Sequence, residues 1–147
     1  MSHDLRIEAV DDATLADWQH VHNVIIPTAP LSLDEVRERV TRNRLVVAYA
    51  GDVLVGNATV RPPADDTATA TVIVRVLPEH RGRGLGTALL ERELAAAREM
   101  GARELETVVL ASNTDGLRFA RAHGFVDEID RYLPEGDVHP FITLRLV

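Results

Sequence analysis

Residues Val74 to Met100 constrain this chain more than any other stretch. A β-branched run (Thr67 to Val76) leads into a loop of glycine and arginine, and that loop leads directly into a long amphipathic helix. Gly82, Gly84 and Gly86 lack the Cβ atoms that would hold a ligand off the main chain, so several N–H groups can converge on one anion. Leu85 and Thr87 add amides in the first helical turn, where N–H groups lack intrahelical partners and the helix presents roughly +0.5 charge. Arg81 and Arg83 supply two cations with forked geometry for phosphate oxygens, and a diphosphate is the natural guest. The spacing is neither that of the dinucleotide fingerprint nor that of a P-loop.

The rest of the chain supplies alternating strands and amphipathic helices around this unit. Leu5, Ile7 and Ala9 alternate with Arg6 and Glu8, which predicts a strand over Asp4 to Val10. Leu15, Trp18, Val21 or His22, and Ile25 recur at helical spacing until Pro27 and Pro30, with Trp18 as a core anchor. A second helix opens at Leu31 to Glu35, where Ser32 and Glu35 fit a capping box. Leu45 to Ala50 and Val53 to Arg61 read as a hairpin turned at Gly51-Asp52, and Pro62 to Asp66 as a polar loop. The long helix puts Leu89, Leu90, Leu94 and Ala97 on one face and stops at Gly101. Glu104 to Ala111 returns as a parallel strand, and a short helix capped at Asn113 or Thr114 runs to Gly124. Val126 to Leu133 and Val138 to Leu146 are the last strands, joined by a Pro-Glu-Gly-Asp turn. The expected order is β-α-α-β-β-β-α-β-α-β-β, one domain over residues 1–147.

The string Arg81-Gly82-Arg83-Gly84-Leu85-Gly86 resembles the R/Q-x-x-G-x-G/A signature of the GNAT superfamily of N-acetyltransferases, and Val74-Arg75-Val76 resembles the strand that precedes it. The stretch from Asn113 through Phe119-Ala120 to Gly124-Phe125 is similar to the family's second acetyl-CoA segment. The resemblance implies an α/β fold whose mixed, mostly antiparallel sheet splays between strands 4 and 5 at a bulge, with the pantetheine arm entering there. It implies acetyl-CoA as cosubstrate, bound by Val74, Arg75, Val76, Arg81, Gly82, Arg83, Gly84, Leu85, Gly86, Thr87, Asn113 and Phe119, and no metal. Acetyl would pass to an amine acceptor, small molecule or peptide, in a ternary complex.

For the chemistry, main-chain amides around Val74 to Val76 are the expected donors to the developing oxyanion. Glu106, on the face shared with Val108, is the first candidate base. His20, His22 and Asn23 end the first helix, a region that lines the acceptor site in the family the chain resembles; these histidines, expected at the surface, and Asp137 and His139 are the further candidates. Relatives commonly place a tyrosine where this chain has Ala120. Protonation of the leaving thiolate is then left to water, or to Ser112, Tyr132 or His123. Arg75 should alternate away from Val74 and Val76, toward an anionic acceptor or, by default, into a surface salt bridge. A non-catalytic acyl-CoA sensor is the rival reading, and a nucleotide-binding domain of another kind a third.

Composition narrows the partners. The chain has 147 residues, 46% of them hydrophobic, enough for a core without staples. It contains no cysteine, which removes disulfides, thiolate zinc sites and thiol nucleophiles, and no serine elbow occurs. A net charge of -7 argues against nucleic acid and would tolerate a cationic amine. No apolar run approaches the ~20 residues of a membrane span, and the N-terminal stretch lacks a signal-peptide core, so a cytoplasmic protein is expected. Pairing through terminal strands into a homodimer is left open.

Overall fold

The computed structural model describes residues 5–64 and 66–147. Asp4, where the first strand was expected to begin, and Asp65 in the polar loop lie outside them. The elements are β1 (Leu5–Ala9), α1 (Leu15–Ile25), α2 (Leu33–Val40), β2 (Arg44–Ala50), β3 (Val53–Arg61), β4 (Thr69–Val76), α3 (Leu85–Glu99), β5 (Glu104–Leu110), α4 (Thr114–Ala122), β6 (Phe125–Tyr132) and β7 (Phe141–Leu146), with a short 3-10 turn at Pro78–His80. This is the expected order. The strands form one sheet, β1-β2-β3-β4-β5-β7-β6, antiparallel throughout except for β4 with β5, the pair that α3 joins.

Helices cover both faces. Alternation along β4 sends Ala70, Val72 and Val74 toward α3, where they meet Leu90 and Ala97. Leu85 and Leu89 of the same helix pack on Val46, Ala48, Val55 and Ala58. On the other face α1 and α2 bury Leu15, Trp18 and Val36 against Leu45, Val47 and Tyr49. Trp18 is fully buried, and its indole N–H donates to the Ala58 carbonyl at 3.1 Å. Burying a side chain of this class contributes about 1.5–3 kcal/mol, so these contacts fix how α1 and α3 lie on the sheet.

The capping box is present as expected, with Ser32 Oγ accepting from the Glu35 amide and Glu35 from the Ser32 amide, so α2 starts at Leu33. Leu31 is held just outside it: Asn23 Oδ1 accepts from the Leu31 N–H at 2.9 Å, and Asn23 Nδ2 donates to its carbonyl at 3.1 Å. Two features differ from expectation. The last strand begins at Phe141, not Val138, which is 84% exposed and has no face to bury. The splay between β4 and β5 forms without the expected bulge. The β4 register to β3 runs unbroken from Arg61↔Thr71 to Gly56↔Val76.

Glu93, on the buried side of α3, went unread in the sequence. Its side chain is 0% exposed, and its carboxylate is gripped by the Arg44 fork, Nε to Oε1 at 2.9 Å and Nη2 to Oε2 at 3.2 Å. The pair ties the middle of α3 to the start of β2. Among the described residues no helix is long and apolar enough to cross a membrane.

Removing Arg44 strands a carboxylate in the core, whereas removing Glu93 leaves a half-exposed arginine that water can reach. Arg44→Met is therefore expected to destabilise the fold by about 3 kcal/mol and Glu93→Leu by clearly less, with the double variant recovering most of the loss. Urea unfolding of the three variants measures this.

Candidate functional site

The site grows from an interrupted ladder. β4 and β5 pair only at Thr69↔Glu104, Ala70↔Leu105 and Thr71↔Glu106, after which β4 stays with β3 and β5 with β7. The Leu77 N–H donates to the Val55 carbonyl at 2.8 Å. By antiparallel alternation, Arg75 and Ile73 therefore use their main-chain groups on β3, and those of Val74 and Val76 point across the opening toward β5. Gly56 reports the same close approach, since a Cβ there would sit 2.3 Å from the Arg75 carbonyl oxygen. Past the last pair the Val74 and Val76 amides have no strand partner. In this wedge lies a cavity of about 60 Å³, walled by Val74, Val108, Asn113 and Phe119 among others.

The wedge is adjacent to a larger hollow of about 550 Å³ at the start of α3, a volume typical of small-molecule sites. Its walls include Val74, Arg75, Val76, Arg81, Gly82, Gly84, Leu85, Gly86, Thr87, Asn113 and Phe119. Of the residues expected to hold a cofactor, only Arg83 is absent from these walls, and its guanidinium meets His80 Nδ1 instead. Gly82 and Gly84 have φ of +80° and +77°, the left-handed region that glycine alone enters freely. The turn they make leaves the amides from Gly82 to Thr87 without an acceptor among the described residues, while the Arg81 amide bonds Pro78. Gly86 has a different task. A Cβ there would lie 3.2 Å from the Phe119 ring and 3.4 Å from Val76, so its absence lets α4 close against α3.

Side chains then fix the edges. Arg81 Nε donates to the Val76 carbonyl at 3.0 Å, and Nη1 reaches Asp115 at 3.3 Å, linking loop, strand and α4. Asn113 caps α4, its Oδ1 accepting from the Gly116 amide at 3.0 Å. Thr87 Oγ1 lies 3.1 Å from His123 Nε2, whose ring packs edge-on against Phe119.

The proposed acid–base candidates scatter. Glu106 is half-buried at the closed end of the wedge, in register with Thr71 and Arg145, and lies outside both sets of walls. Ala120 is buried in the core beside Phe125 and brings no hydroxyl. Tyr132 is 61% exposed on β6, and His20 and His139 are exposed.

Two expectations fail on the α1 face. Arg75 is not a surface residue in a salt bridge. It is 8% exposed, lies over the Trp18 ring at 5.6 Å, and has no ion pair among the described residues. Burial, with the charges of Arg61 and Arg39, pushes its pKa down to about 9. His22 is likewise buried, at 5% exposure, and stacked on Trp18 at 5.5 Å. Alternation and helical spacing were read correctly, but the side of the sheet that α1 covers cannot be seen locally. Burial first, then the Arg75 charge, lowers His22 from its ordinary 6.5 to about 4. The Asn23 amide is oriented by Leu31, so the His22 Nδ1–H donates to Asn23 Oδ1 at 3.1 Å and the neutral ring keeps its lone pair on Nε2.

The model of the Acetyltransferase (GNAT) family matches residues 7–125. Among solved structures, a protein from Salmonella typhimurium described as an acetyltransferase, with its cofactor acetyl-CoA, is 20% identical over 97% of this chain and 93% of its own, with a TM-score of 0.75. The ribosomal-protein-alanine N-acetyltransferase from Brucella melitensis is 19% identical over 97% and 99%, with a TM-score of 0.75. The spermidine/spermine N-acetyltransferase from Vibrio cholerae, in complex with manganese ions, is 18% identical over 97% and 92%, with a TM-score of 0.72. At these identities the likeness is one of fold. No curated protein matches the chain.

The depressed His22 pKa has a signed consequence. Below 6.5 the unfolded chain takes up a proton that the folded ring refuses, so stability falls as pH drops from about 6.5 toward 4. His22→Phe removes up to one proton from that slope, about 1.4 kcal/mol per pH unit. Urea unfolding at several pH values in this window measures the difference between the two slopes.

Proposed function

The chain belongs to the GNAT family of acetyltransferases, and on that footing we propose that it transfers acetyl from acetyl-CoA to a primary amine, which attacks directly in a ternary complex. The observation that carries this reading is the run of amides from Gly82 to Thr87 without an acceptor among the described residues, opening on a cavity continuous in its walls with the Val74 and Val76 amides that no strand pairs. One end of that surface suits a diphosphate, by fixed N–H groups and the helix N-terminus. The other suits a polarised carbonyl, by amides that need no reorganisation as charge develops on oxygen.

Acetyl-CoA supplies an activated thioester. The protein's residues do the rest. Arg81 braces the loop against β4, with its guanidinium on the Val76 carbonyl. Arg83 is an exposed cation in the same loop. Asn113 and Phe119 wall the passage for the pantetheine arm. The Val74 and Val76 amides hold the carbonyl oxygen while the amine nitrogen bonds to carbon and the carbon–sulfur bond breaks. The amine releases its proton to water, and the thiolate takes one from water, because Ala120 offers no hydroxyl. In this scheme Glu106, outside the walls of both cavities, does not touch the amine.

Calorimetry with CoA, ATP and NAD and thiol release across a panel of amines test the reading together. The expected result is CoA binding above that of the other two and amine-dependent thiol release. Gly84→Val, forced out of its left-handed conformation, should weaken CoA binding by about a hundredfold, and Arg83→Ala by about tenfold, the worth of one charge-assisted contact. CoA binding without release for any amine would favour the sensor, and indifference to CoA would remove the assignment.

A further inference from the structure

Three arginines on the α1 face form no close ion pair among the described residues, although Glu35 and Glu38 act on one of them, Arg39, at longer range. Arg75 (β4) and Arg61 (β3) project from the same side of neighbouring strands, and Arg39 stands on α2 one turn past the buried Val36. None of the three forms an ion pair among the described residues, nor do Arg83, Arg92, Arg98, Arg103 and Arg121, but of these eight arginines Arg75 alone is buried. Arg75 is the most deeply buried of them, where water cannot make up for a missing partner. Its Nη1 donates to Asn57 Oδ1 at 3.2 Å and approaches Thr59 Oγ1 at 3.5 Å, while its Nε is buried with no partner. Nη2, which unlike Nε is not sealed from solvent, also donates to nothing among the described residues.

The free edge is informative. Nε and Nη2 form the side of the fork that grips a carboxylate in Arg42–Glu38, Arg44–Glu93 and Arg131–Glu128 of this same chain. A buried cation with that edge open, repelled by Arg61 and Arg39, is stable in the apo fold only against its own desolvation. A planar oxyanion from outside would satisfy it. The position suits an acceptor, because Arg75 lies between Val74 and Val76, whose amides line the wedge, and belongs with Ile25 of α1 to the walls of both cavities.

We propose that the free Nε–Nη2 edge of Arg75, reinforced by Arg61 and Arg39, is an anion clasp for the acceptor, which is therefore a small amine carrying a carboxylate. This rests on the transferase reading for the word acceptor, but the anion site stands apart from it. The acidic net charge suggested tolerance of cationic amines. The local field at this wall is of the opposite sign.

The test pairs acids with their amides. Thiol release is measured for L-methionine against L-methioninamide, and β-alanine against β-alaninamide, with spermidine as the cation. Wild-type protein is expected to favour each acid at least tenfold in kcat/KM. Arg75→Met should abolish that ratio through a higher acceptor KM, and Arg75→Lys, which keeps charge without the fork, should restore part of it. Independently of turnover, succinate at saturating CoA should raise the melting temperature of wild type and not of Arg75→Met, which alone should melt no lower than wild type. Equal rates for acid and amide, a ratio that survives Arg75→Met, or succinate protection that survives it overturns the clasp. Succinate protection lost in Arg75→Met, with no amine turned over by wild type, would keep the clasp and sink the transferase.

Discussion

Three register pairs join β4 to β5, and beyond Thr71↔Glu106 each strand keeps only the neighbour on its far side. A sheet interrupted in this way leaves main-chain donors and acceptors facing one another across a gap without a strand between them. Unpaired backbone groups are costly when buried and useful when a ligand can reach them. The crossover helix α3 spans the same discontinuity, so its unsatisfied N-terminus opens beside the unsatisfied edge of β4. Loop, wedge and cavity are consequences of one broken ladder.

Anchoring falls unevenly around that break. Leu85, Leu89, Leu90 and Ala97 press α3 onto the sheet, and Arg44 holds Glu93 at its middle. Gly86 lets Phe119 close on the same helix. The α1 side is also tied by polar contacts, with the Trp18 indole donating to the Ala58 carbonyl, Asn57 Nδ2 donating to the Trp18 carbonyl, and Asn23 and Gln19 reaching Leu31. Its buried layer includes a neutral histidine and an unpaired arginine. Both walls carry a packed apolar cluster, and the α1 wall adds buried polar and charged side chains to it.

What could be read in the sequence follows the same division. The loop from Arg81 to Thr87 was legible because its information is local: glycines that need positive φ, arginines and a helix start lie within a few residues. The element order was legible from periodicity, and Ser32 with Glu35 from cap chemistry. Arg75, His22 and Glu93 were not, because a charged side chain shows its burial only through elements far along the chain. Arg44 lies 49 positions from Glu93, and Trp18 lies on another element from Arg75. Alternation told which way Arg75 points but not that α1 covers that side. The absence of a bulge in β4 was equally invisible, since the divergence comes from each strand's far partner rather than from an inserted residue.

The tether between Arg44 and Glu93 has a wider implication. With the middle of α3 latched to β2, the glycine loop at its head is held independently of whatever sits beneath α1. Substitutions in the helical pair at the front can reshape that side of the cavity without shifting the loop. Proteins of this fold named for a ribosomal protein's alanine and for spermidine or spermine share that scaffold with the present chain at about a fifth of identical residues. A latch of this kind lets one half of a molecule diversify while the other stays put.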